Sequence, residues 1–506
     1  MTIVIHWFRR DLRLQDNTAL SAAARDAGGA VIPVFVLDND LLRGADIAPA
    51  RVHFMLDCLR ELDATLRRHG SRLIVLRGNP AVELVRLVQR TGAEAVYFNR
   101  DYTPTALRRD ARVTQTLQQA GVDVQTFKDS VIFEPSELRT GDGQPYTVFT
   151  PYKRAWLNRL SLGGRADAQP IDAPRLSALP PSWADIGLSA LPTASELGFH
   201  VEQELPAGGE SEGLRRLSHF KNSGALQAYA AQRDFPAIEG TSRLSPYLRF
   251  GAISPRQCFA TAVSTLQREF PSKHSFSPAA SDTKKEGADA WISELIWREF
   301  YAQILYHFPH ANTGNYRREY DGLEWGSGNP TLDEIRFNAW RDGRTGYPIV
   351  DAAMRQLRQT GWMHNRARMI VASFLTKDLL LDWRLGERHF MQQLVDGDPA
   401  SNNGGWQWAA GTGTDAQPYF RIFNPRLQSE RFDPEGAFIR RWLPELERVP
   451  LEYLHAPHTM PALVQAQSGC TIGSDYPAPI VDHAVQKEES IRRFSEIAKK
   501  AKPSTR

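Results

Sequence analysis

Short apolar runs alternate with helical patterns along the first 130 residues of the chain. The apolar runs lie at residues 3–7, 31–37, 73–76 and 95–98, each before a candidate helix. This alternation is typical of a parallel sheet with helices on both faces. Asp16-Asn17 can cap the first helix, and Pro49-Ala50 can open a later one. We therefore predict an α/β domain at 1–135, a doubly wound parallel sheet with ligand sites at the carboxyl ends of its strands.

The pattern changes after about residue 142. Stretches rich in Pro, Gly and Ser predict a long surface connector, which we place at 136–213. From residue 214 onward helical periodicity dominates, and we predict an all-helical domain at 214–486. The strongest helix candidates lie at 291–307, 347–359, 363–383 and 387–394. Residues 487–506 form a polar tail that we expect to fray.

The segment 402–425 matches neither an amphipathic helix nor an alternating strand. It carries Trp406-Gln407-Trp408 after two glycines, and small and hydroxyl residues follow. Large rings beside glycines that allow close backbone approach indicate a surface that holds a flat molecule. A buried aromatic cluster under a loop is the alternative.

Composition excludes several classes of protein. With 506 residues, 42% of them hydrophobic and 24% charged, the chain is typical of a soluble enzyme of two or three domains. No apolar run approaches the roughly 20 residues needed to cross a bilayer, and the N-terminus lacks a secretory pattern, so we expect a cytoplasmic protein. Cys58, Cys258 and Cys470 are too far apart for a zinc-ligand spacing or an evident disulfide framework. We expect no metal site and a monomer.

Charge and motifs leave the partner open at this point. The formal net charge of +3 permits a nucleic-acid partner but does not argue for one. No GxGxxG or P-loop follows the first strand, which disfavours a conventional dinucleotide or nucleoside triphosphate site there.

One face of the helix predicted at 291–307 mixes rings with charges. The residues that recur on it at steps of three and four are Trp291, Glu294, Trp297, Arg298 and Tyr301. A solvated salt-bridge face is the usual interpretation of Glu and Arg at this spacing. The tryptophans among them favour the wall of a pocket.

The helix predicted at 363–383 begins with His364-Asn365-Arg366-Ala367-Arg368-Met369. This spacing places Asn365, Arg368 and Met369 on one side and Arg366 on another. Two arginines in a first turn oppose the helix dipole, so we expect an anion nearby: Asp396, Asp398 or a phosphate. We assign no chemistry to His364.

A hydroxyl-rich turn, Thr241-Ser242-Arg243-Leu244-Ser245-Pro246, precedes another helical segment. Its free backbone amides could bind an anion. An ordinary helix cap with proline in the first turn explains the same residues equally well.

Several motifs together make the chain similar to a known family. They are HWFRRDLRLQDN from His6, TSRLSPYLRFG from Thr241, WISELIWREFY from Trp291, TGYPIVDAAMRQL from Thr345, GWMHNRARM from Gly361, and the segment 396–425. With these motifs the chain resembles the DNA photolyase/cryptochrome family over nearly its whole length, in particular the class I cyclobutane pyrimidine dimer photolyases. The resemblance implies an N-terminal α/β antenna domain and a helical domain that binds a bent FAD.

The resemblance also implies roles for individual residues. Those expected to bind FAD are Tyr229, Thr241, Ser242, Arg243, Leu244, Ser245, Trp291, Arg368, Asp396, Gly397, Asp398 and Asn402. Those expected to contact the lesion or its DNA are Arg233, Glu294, Trp297, Arg298, Tyr301, Asn365, Arg366, Met369, Trp408 and Gln428, with Glu294, Trp297, Asn365, Met369 and Trp408 as the catalytic set. A tryptophan chain that passes electrons to oxidised flavin would consist of Trp406, Trp383 and Trp325.

The implied activity is light-dependent repair of UV-damaged DNA. Reduced FAD (FADH⁻) would donate one electron to a flipped-out dimer, the cyclobutane ring would split, and the electron would return. Asn402 would lie next to flavin N5, and Glu294 would hydrogen-bond the pyrimidine edge as a neutral acid.

The antenna positions depart from the folate-binding members of the family. Thr105-Ala106 stands where an amide and a carboxylate are expected, and Thr313 where a lysine is expected. Asp101 and Arg249 instead resemble the acid and base of the members that bind 8-hydroxy-5-deazaflavin. We therefore expect 8-hydroxy-5-deazaflavin as the antenna rather than 5,10-methenyltetrahydrofolate.

Three other functions compete with dimer repair. Members that repair the (6-4) photoproduct carry histidines at the positions of Asn365 and Met369. A cryptochrome, which signals light and repairs nothing, has no need for the dimer pocket that five residues together indicate: Glu294, Trp297, Met369, Trp408 and Asn402. A passive damage-binding protein would need no tryptophan chain.

Overall fold

The sheet predicted from the N-terminal apolar runs forms in the computed structural model, which describes residues 2–266 and 283–501. Its strands are β1 (Val4–Phe8), β2 (Val31–Leu37), β3 (Ile74–Arg77), β4 (Ala95–Asn99) and β5 (Asp123–Phe127). All neighbours are parallel, in the order β3-β2-β1-β4-β5. Every residue of β1, β2 and β4 is buried, as expected for strands covered by helices on both faces.

The helices of this domain are α1 (Thr18–Asp26), α2 (Asn39–Leu42), α3 (Pro49–Arg68), α4 (Pro80–Thr91) and α5 (Pro104–Gln119). Two of them, α1 and α3, begin where the sequence predicts. The side chain of Asn17 accepts a hydrogen bond from the amide of Leu20 and caps α1, and Pro49 occupies the first turn of α3. Both sequence signals are confirmed.

Helices dominate the rest of the chain. They are α6 (Phe149–Arg159), α7 (Glu210–Asn222), α8 (Ala225–Gln232), α9 (Ser245–Phe250), α10 (Pro255–Val263), α11 (Thr283–His307), α12 (Pro330–Arg341), α13 (Pro348–Thr360), α14 (Asn365–Ser373), α15 (Trp383–Gln393), α16 (Pro399–Ala410), α17 (Pro425–Phe432), α18 (Ala437–Trp442), α19 (Leu451–Leu454), α20 (Ala462–Ser468) and α21 (His483–Ala501). The predicted helix at 363–383 is divided: α14 continues into a π-helical turn, Phe374–Asp378, and α15 begins separately.

The connector is not a plain surface loop. Its helix α6 buries Tyr152 and Trp156 at a spacing of four residues. The indole of Trp156 donates a 2.7 Å hydrogen bond to Glu299 of α11. The connector therefore packs into the helical domain and forms part of its core.

The segment 402–425 contains a helix, contrary to the sequence prediction. Helix α16 buries Asn402, Asn403, Trp406 and Gln407 together with three alanines. A helix buried on most of its circumference shows no amphipathic period, which explains why the pattern does not reveal it.

The predicted fraying of the tail is also wrong for the described part. Residues from Lys487 to Ala501 continue α21, and the ring of Phe494 is 1% exposed. The Nζ atom of Lys377 lies 3.4 Å from the centroid of that ring. Polar composition concealed the apolar face of α21, which packs on Tyr320 and Leu323.

Buried ion pairs join the two domains beside the end of β1. Arg256 of α10 pairs with Asp16 at 2.9 Å and with Asp129 at 2.8 Å, and Arg13 pairs with Asp129 at 2.7 Å. The amide of Leu12 donates to the carbonyl of Phe250. Because breaking a buried pair leaves an uncompensated charge, these contacts hold the loop after β1 against the helical domain. Within the described ranges no helix is long and apolar enough to cross a membrane.

Candidate functional site

Glu294 of α11 faces Arg233, which follows α8. Glu294 Oε1 lies 2.5 Å from Arg233 Nη1, and the side chains are 35% and 38% exposed. Burial raises the pKa of the Glu294 carboxyl above its ordinary value, and the charge of Arg233 opposes that rise. The site thus holds a carboxyl whose proton affinity is elevated although a cation lies beside it.

One turn along α11 from Glu294, the ring of Trp297 is half-buried, and another aromatic ring stacks on one of its faces. Phe149 stacks on it with ring centroids 3.6 Å apart and planes 7° apart. Tyr301 lies 5.4 Å from Trp297 on the same helix face. A side chain at position 404 of α16 would collide with the Tyr301 ring, so Gly404 lets the two helices approach.

Arg298 departs from the predicted DNA-contacting face. Its guanidinium donates to the carbonyl of Ser130 at 2.5 Å and lines a cavity at the domain junction. Helix α11 packs against both the connector and the α/β domain, so residues one position apart reach different environments. The structure removes Arg298 from the DNA-contacting set.

The side chains at the start of α14 separate as their spacing predicts. The amide of Asn365 lies 3.9 Å from the sulfur of Met369 on one side. Arg368 Nη2 lies 2.8 Å from Asp396 Oδ2. Two carboxylates are expected as anions near this helix start. The structure pairs Arg368 with Asp396 and not with Asp398.

Arg366 lies on another side of α14, as expected. It pairs with Asp234 at 2.8 Å, and its guanidinium carbon lies 4.3 Å from the ring centroid of Phe432. Asp234 is an anion that the sequence patterns do not reveal.

Gln428 of α17 is half-buried, and its Oε1 has no hydrogen-bond partner among the described residues.

The segment before α16 presents polar groups that differ in their hydrogen bonding. Asp396 is 6% exposed, and its Oδ1 atom is buried without a hydrogen-bond partner within the described chain. The carbonyl of Gly397 accepts from Arg249 at 2.8 Å. The carboxyl of Asp398 caps α16 through the amides of Ala400 and Ser401.

Asn402 of α16 is oriented by α15. Its Nδ2 atom donates to the carbonyl of Glu387 at 3.0 Å. The neighbouring Asn403 donates to the Glu387 carboxyl at 3.0 Å, and burial raises the pKa of that carboxyl to about 7. With its amide nitrogen engaged, Asn402 can offer its carbonyl oxygen to a donor.

The turn before α9 has no side-chain cap. Leu244 occupies the cap position and makes no side-chain hydrogen bond to the helix. Arg243 has a left-handed backbone (φ 50°), and its guanidinium lies 5.0 Å from the centroid of Trp362. Trp362 also donates to the hydroxyl of Ser245 at 3.4 Å. Of the ordinary helix cap with proline in the first turn, the structure therefore shows the proline, Pro246, and not the side-chain cap.

Two further expected FAD contacts belong to the adjoining core. Tyr229 of α8 is 9% exposed and Trp291 of α11 is 4% exposed. Phe220 lies between them in contact with both rings, at 6.0 and 5.2 Å.

The three expected relay tryptophans differ in depth. Trp406 and Trp383 are 2% and 0% exposed, whereas Trp325 is half-buried. A side chain at Gly386, three residues after Trp383, would collide with the Trp406 ring. Trp340, which the sequence analysis does not single out, lies 6.0 Å from Trp406 edge to face. Trp408 of α16 is half-buried like Trp297.

A small cavity lies at the junction of the two domains. Asp101 lines it, and Arg10 joins Asp101 at 3.4 Å to Asp398 at 2.6 Å. Burial opposes ionisation here, yet Arg10 and Arg109 bring the pKa of Asp101 to about 2. Burial, with Arg10 nearby, lowers the pKa of Arg249 to about 9.

Across residues 2–266 and 283–501, no group of three His, Cys, Asp or Glu side chains could hold a metal ion.

Sequence reasoning missed several contributors to these sites. No periodic pattern marks these residues. Asp234 lies in a loop, Arg10 follows a strand, and Phe149 lies in the connector. Each becomes visible only through a partner far away in the chain.

Comparison with known proteins agrees with this architecture. A family model described as DNA photolyase matches residues 4–175, and one described as the FAD binding domain of DNA photolyase matches residues 291–496. The deoxyribodipyrimidine photo-lyase of Synechococcus sp. is 42% identical over 98% of this chain and 96% of its own length. A bacterial class III photolyase from Agrobacterium tumefaciens superimposes with a TM-score of 0.84 at 38% identity, covering 99% of this chain and 98% of that one. A cryptochrome from Synechocystis gives a TM-score of 0.83 at 29% identity, covering 97% and 99%. The chain belongs to the DNA photolyase/cryptochrome family.

Proposed function

We propose that this protein repairs cyclobutane pyrimidine dimers in UV-damaged DNA, using light and reduced FAD. The observation that carries the proposal is the arrangement on α11, where Glu294 with its raised pKa lies one turn from the half-buried ring of Trp297. A carboxyl that can donate a proton beside an open aromatic face suits a flat, hydrogen-bonding substrate.

The residues at the start of α16 fit FAD. Asp396 Oδ1, which has no hydrogen-bond partner among the described residues, is suited to accept from a donor such as a flavin N–H group, and Arg368 supplies a positive charge beside it. Because Glu387 engages its nitrogen, Asn402 is left with its carbonyl oxygen to offer to the flavin. The uncapped amides before α9 suit the pyrophosphate, with Thr241 to Ser245 around it. When bound, the reduced flavin supplies one electron to the dimer after absorbing light and regains it once the ring has split.

The chain's own residues then extract and hold the lesion. Flipping a dimer out of the duplex costs a few kcal/mol, and least where the damaged pair is already poorly stacked. Trp297 and Trp408 stack on the extruded bases, each contact worth roughly 1–3 kcal/mol. Asn365 and Met369 line the same pocket, while Arg233 and Arg366 attract the phosphates. Affinity should therefore fall with added salt.

Glu294 holds a proton toward the pyrimidine edge. In the free protein Arg233 neutralises the carboxyl at 2.5 Å. Stacked bases would exclude water from the pocket and raise the pKa of Glu294 further, which favours the neutral donor. This donor stabilises negative charge on the dimer while its ring opens.

Trp406, Trp383 and Trp325 restore the active oxidation state of the cofactor. Their exposure increases from the buried pair to the half-buried Trp325, which suits electron entry from the surface. This role is separate from repair, because an already reduced cofactor does not require it.

The cavity at the domain junction takes the antenna chromophore. The preference for 8-hydroxy-5-deazaflavin over 5,10-methenyltetrahydrofolate rests on the family resemblance at Asp101, which lines this cavity, and at Arg249, which donates to the carbonyl of Gly397. Protein from the native source should show the absorption band of this chromophore.

A light-dependent repair assay tests the proposed function. Reduced protein is incubated with an oligonucleotide that carries one thymine dimer, and restored thymine is measured in blue light and in darkness. We expect restoration in light only, and no change in a (6-4) photoproduct of the same sequence. Equal light and dark signals with normal flavin content would support the cryptochrome alternative, and repair of the (6-4) photoproduct would support the other enzyme.

A further inference from the structure

We propose that Phe149 is a positioning residue of the lesion pocket, which fixes the plane of Trp297 and joins that ring to the loop after Trp408. The proposal rests on the function given above. Phe149 belongs to the connector helix α6, in a region whose sequence suggests only a link between domains.

The contact between the two rings is close and parallel. The centroids are 3.6 Å apart, the planes differ by 7°, and Phe149 is 8% exposed. Aromatic pairs usually prefer offset or edge-to-face arrangements with centroids about 4.5–7 Å apart. A parallel pair at the shorter distance therefore depends on surrounding contacts. Phe300 supplies one, with its ring edge-to-face to both partners at 5.8 and 5.5 Å.

The backbone of Phe149 is anchored to the other wall of the pocket. Its amide donates to the carboxyl of Asp415 at 3.1 Å. The hydroxyl of the adjacent Thr414 donates to the carbonyl of Thr147 at 2.5 Å. Asp415 follows α16, which carries Trp408, so Phe149 links the two tryptophans that stack on the lesion.

Phe149 covers one side of the indole, and the ring is half-buried overall. Without that support the indole could rotate into the space of the lost ring. Stacking on an extruded base would then require ordering Trp297 at the moment of binding, which weakens lesion affinity.

The rest of α6 is held independently of Phe149. Tyr152 and Trp156 are each 1% exposed, and Lys153 donates to the hydroxyl of Ser293 on α11 at 2.6 Å. A substitution at 149 should therefore leave the helix docked.

The test compares Phe149→Leu with Phe149→Tyr and with a matched core variant, Phe133→Leu. Phe133 is 1% exposed and contacts Trp156 of the same helix at 5.2 Å, away from Trp297. Dark affinities are measured for a thymine-dimer duplex and for the undamaged duplex. We expect Phe149→Leu to weaken dimer binding about fivefold and to leave undamaged binding unchanged. Phe149→Tyr keeps the stack and should retain wild-type affinity.

A second readout needs neither DNA nor flavin. Protein labelled with 5-fluorotryptophan gives a ¹⁹F resonance for Trp297, identified by its loss in Trp297→Phe. We expect this resonance to shift and broaden in Phe149→Leu and to keep its position in Phe149→Tyr and Phe133→Leu.

Two outcomes would overturn the proposal: a Trp297 resonance unchanged in Phe149→Leu, or the same dimer affinity in Phe149→Leu and Phe133→Leu. Failure of the proposed function is distinguishable, because wild-type protein would then bind both duplexes equally while the ¹⁹F resonance still reports the stack.

Discussion

Replacing Glu294 with alanine should lower the yield of repair per absorbed photon more than it lowers affinity for damaged DNA. The carboxyl lies beside Arg233 on the face of α11 that carries Trp297. Its proposed role is to stabilise charge on the dimer during ring opening, and only interactions that strengthen in that state change the chemical step. Glu294→Gln retains a hydrogen-bond donor and is the matched control.

The structure sets the size of the effect. A hydrogen bond to a charged group contributes about 1.5–3 kcal/mol. The two side chains are 35% and 38% exposed, so solvent screening leaves about 1 kcal/mol for the ion pair in the free protein. If about 1 kcal/mol distinguishes the charged dimer from its ground state, the ratio of ring splitting to unproductive electron return falls about fivefold. Thermal stability should change little.

The assay uses enzyme with fully reduced flavin and saturating dimer substrate. Restored thymine is counted per absorbed photon, and affinity is measured separately in the dark. We expect Glu294→Ala to lower the yield as that fivefold change in the ratio requires, Glu294→Gln to lower it less, and both to bind damaged DNA within about twofold of wild type. A wild-type yield in Glu294→Ala would refute the reasoning and remove Glu294 from the mechanism.

Three further predictions follow from neighbouring contacts. Trp406→Phe should abolish photoreduction of oxidised FAD, followed by flavin absorbance, while already reduced enzyme still repairs; fast photoreduction in this variant would exclude the relay. Asp396→Asn leaves Arg368 without its charge partner and should weaken FAD binding about tenfold in a fluorescence titration. The control Asp382→Asn alters a surface ion pair and should leave FAD binding unchanged. Equal FAD affinities for both variants would contradict the assignment. The folded pKa of Glu387 is raised to about 7, so its favourable contribution is complete below about pH 4.5 and is lost as pH rises through 7. Glu387→Gln should therefore raise the melting temperature at pH 8 and not at pH 4.5, and an equal change at both pH values would disprove the shift.

Local signals predicted the sheet and much of α14. Asn17 and Pro49 act through neighbours within one turn, so sequence alone identifies them. The pairing of Arg368 with an anion was also predictable, because two arginines at a helix start need one. Which of the candidate acids serves depends on tertiary geometry.

Other features could not be predicted because their partners are distant in sequence. Helix α16 lacks an amphipathic period since it is buried on most sides. Arg298 shares a helical wheel with Glu294 but reaches Ser130 across the domain junction. Phe149 meets Trp297 only because α6 folds back onto α11. Periodicity describes one element at a time and carries no information on which faces will meet.

The most direct test of the central claim is the number of dimers repaired per flavin without an external reductant. Protein with prereduced FAD is mixed anaerobically with excess dimer duplex and exposed to blue light. Because the electron returns after ring splitting, we predict many repaired dimers per flavin and a cofactor that remains reduced. A fully reduced flavin can give up at most two electrons, so two repaired dimers or fewer per flavin, with the cofactor left oxidised, would contradict a returning electron and with it the proposed mechanism.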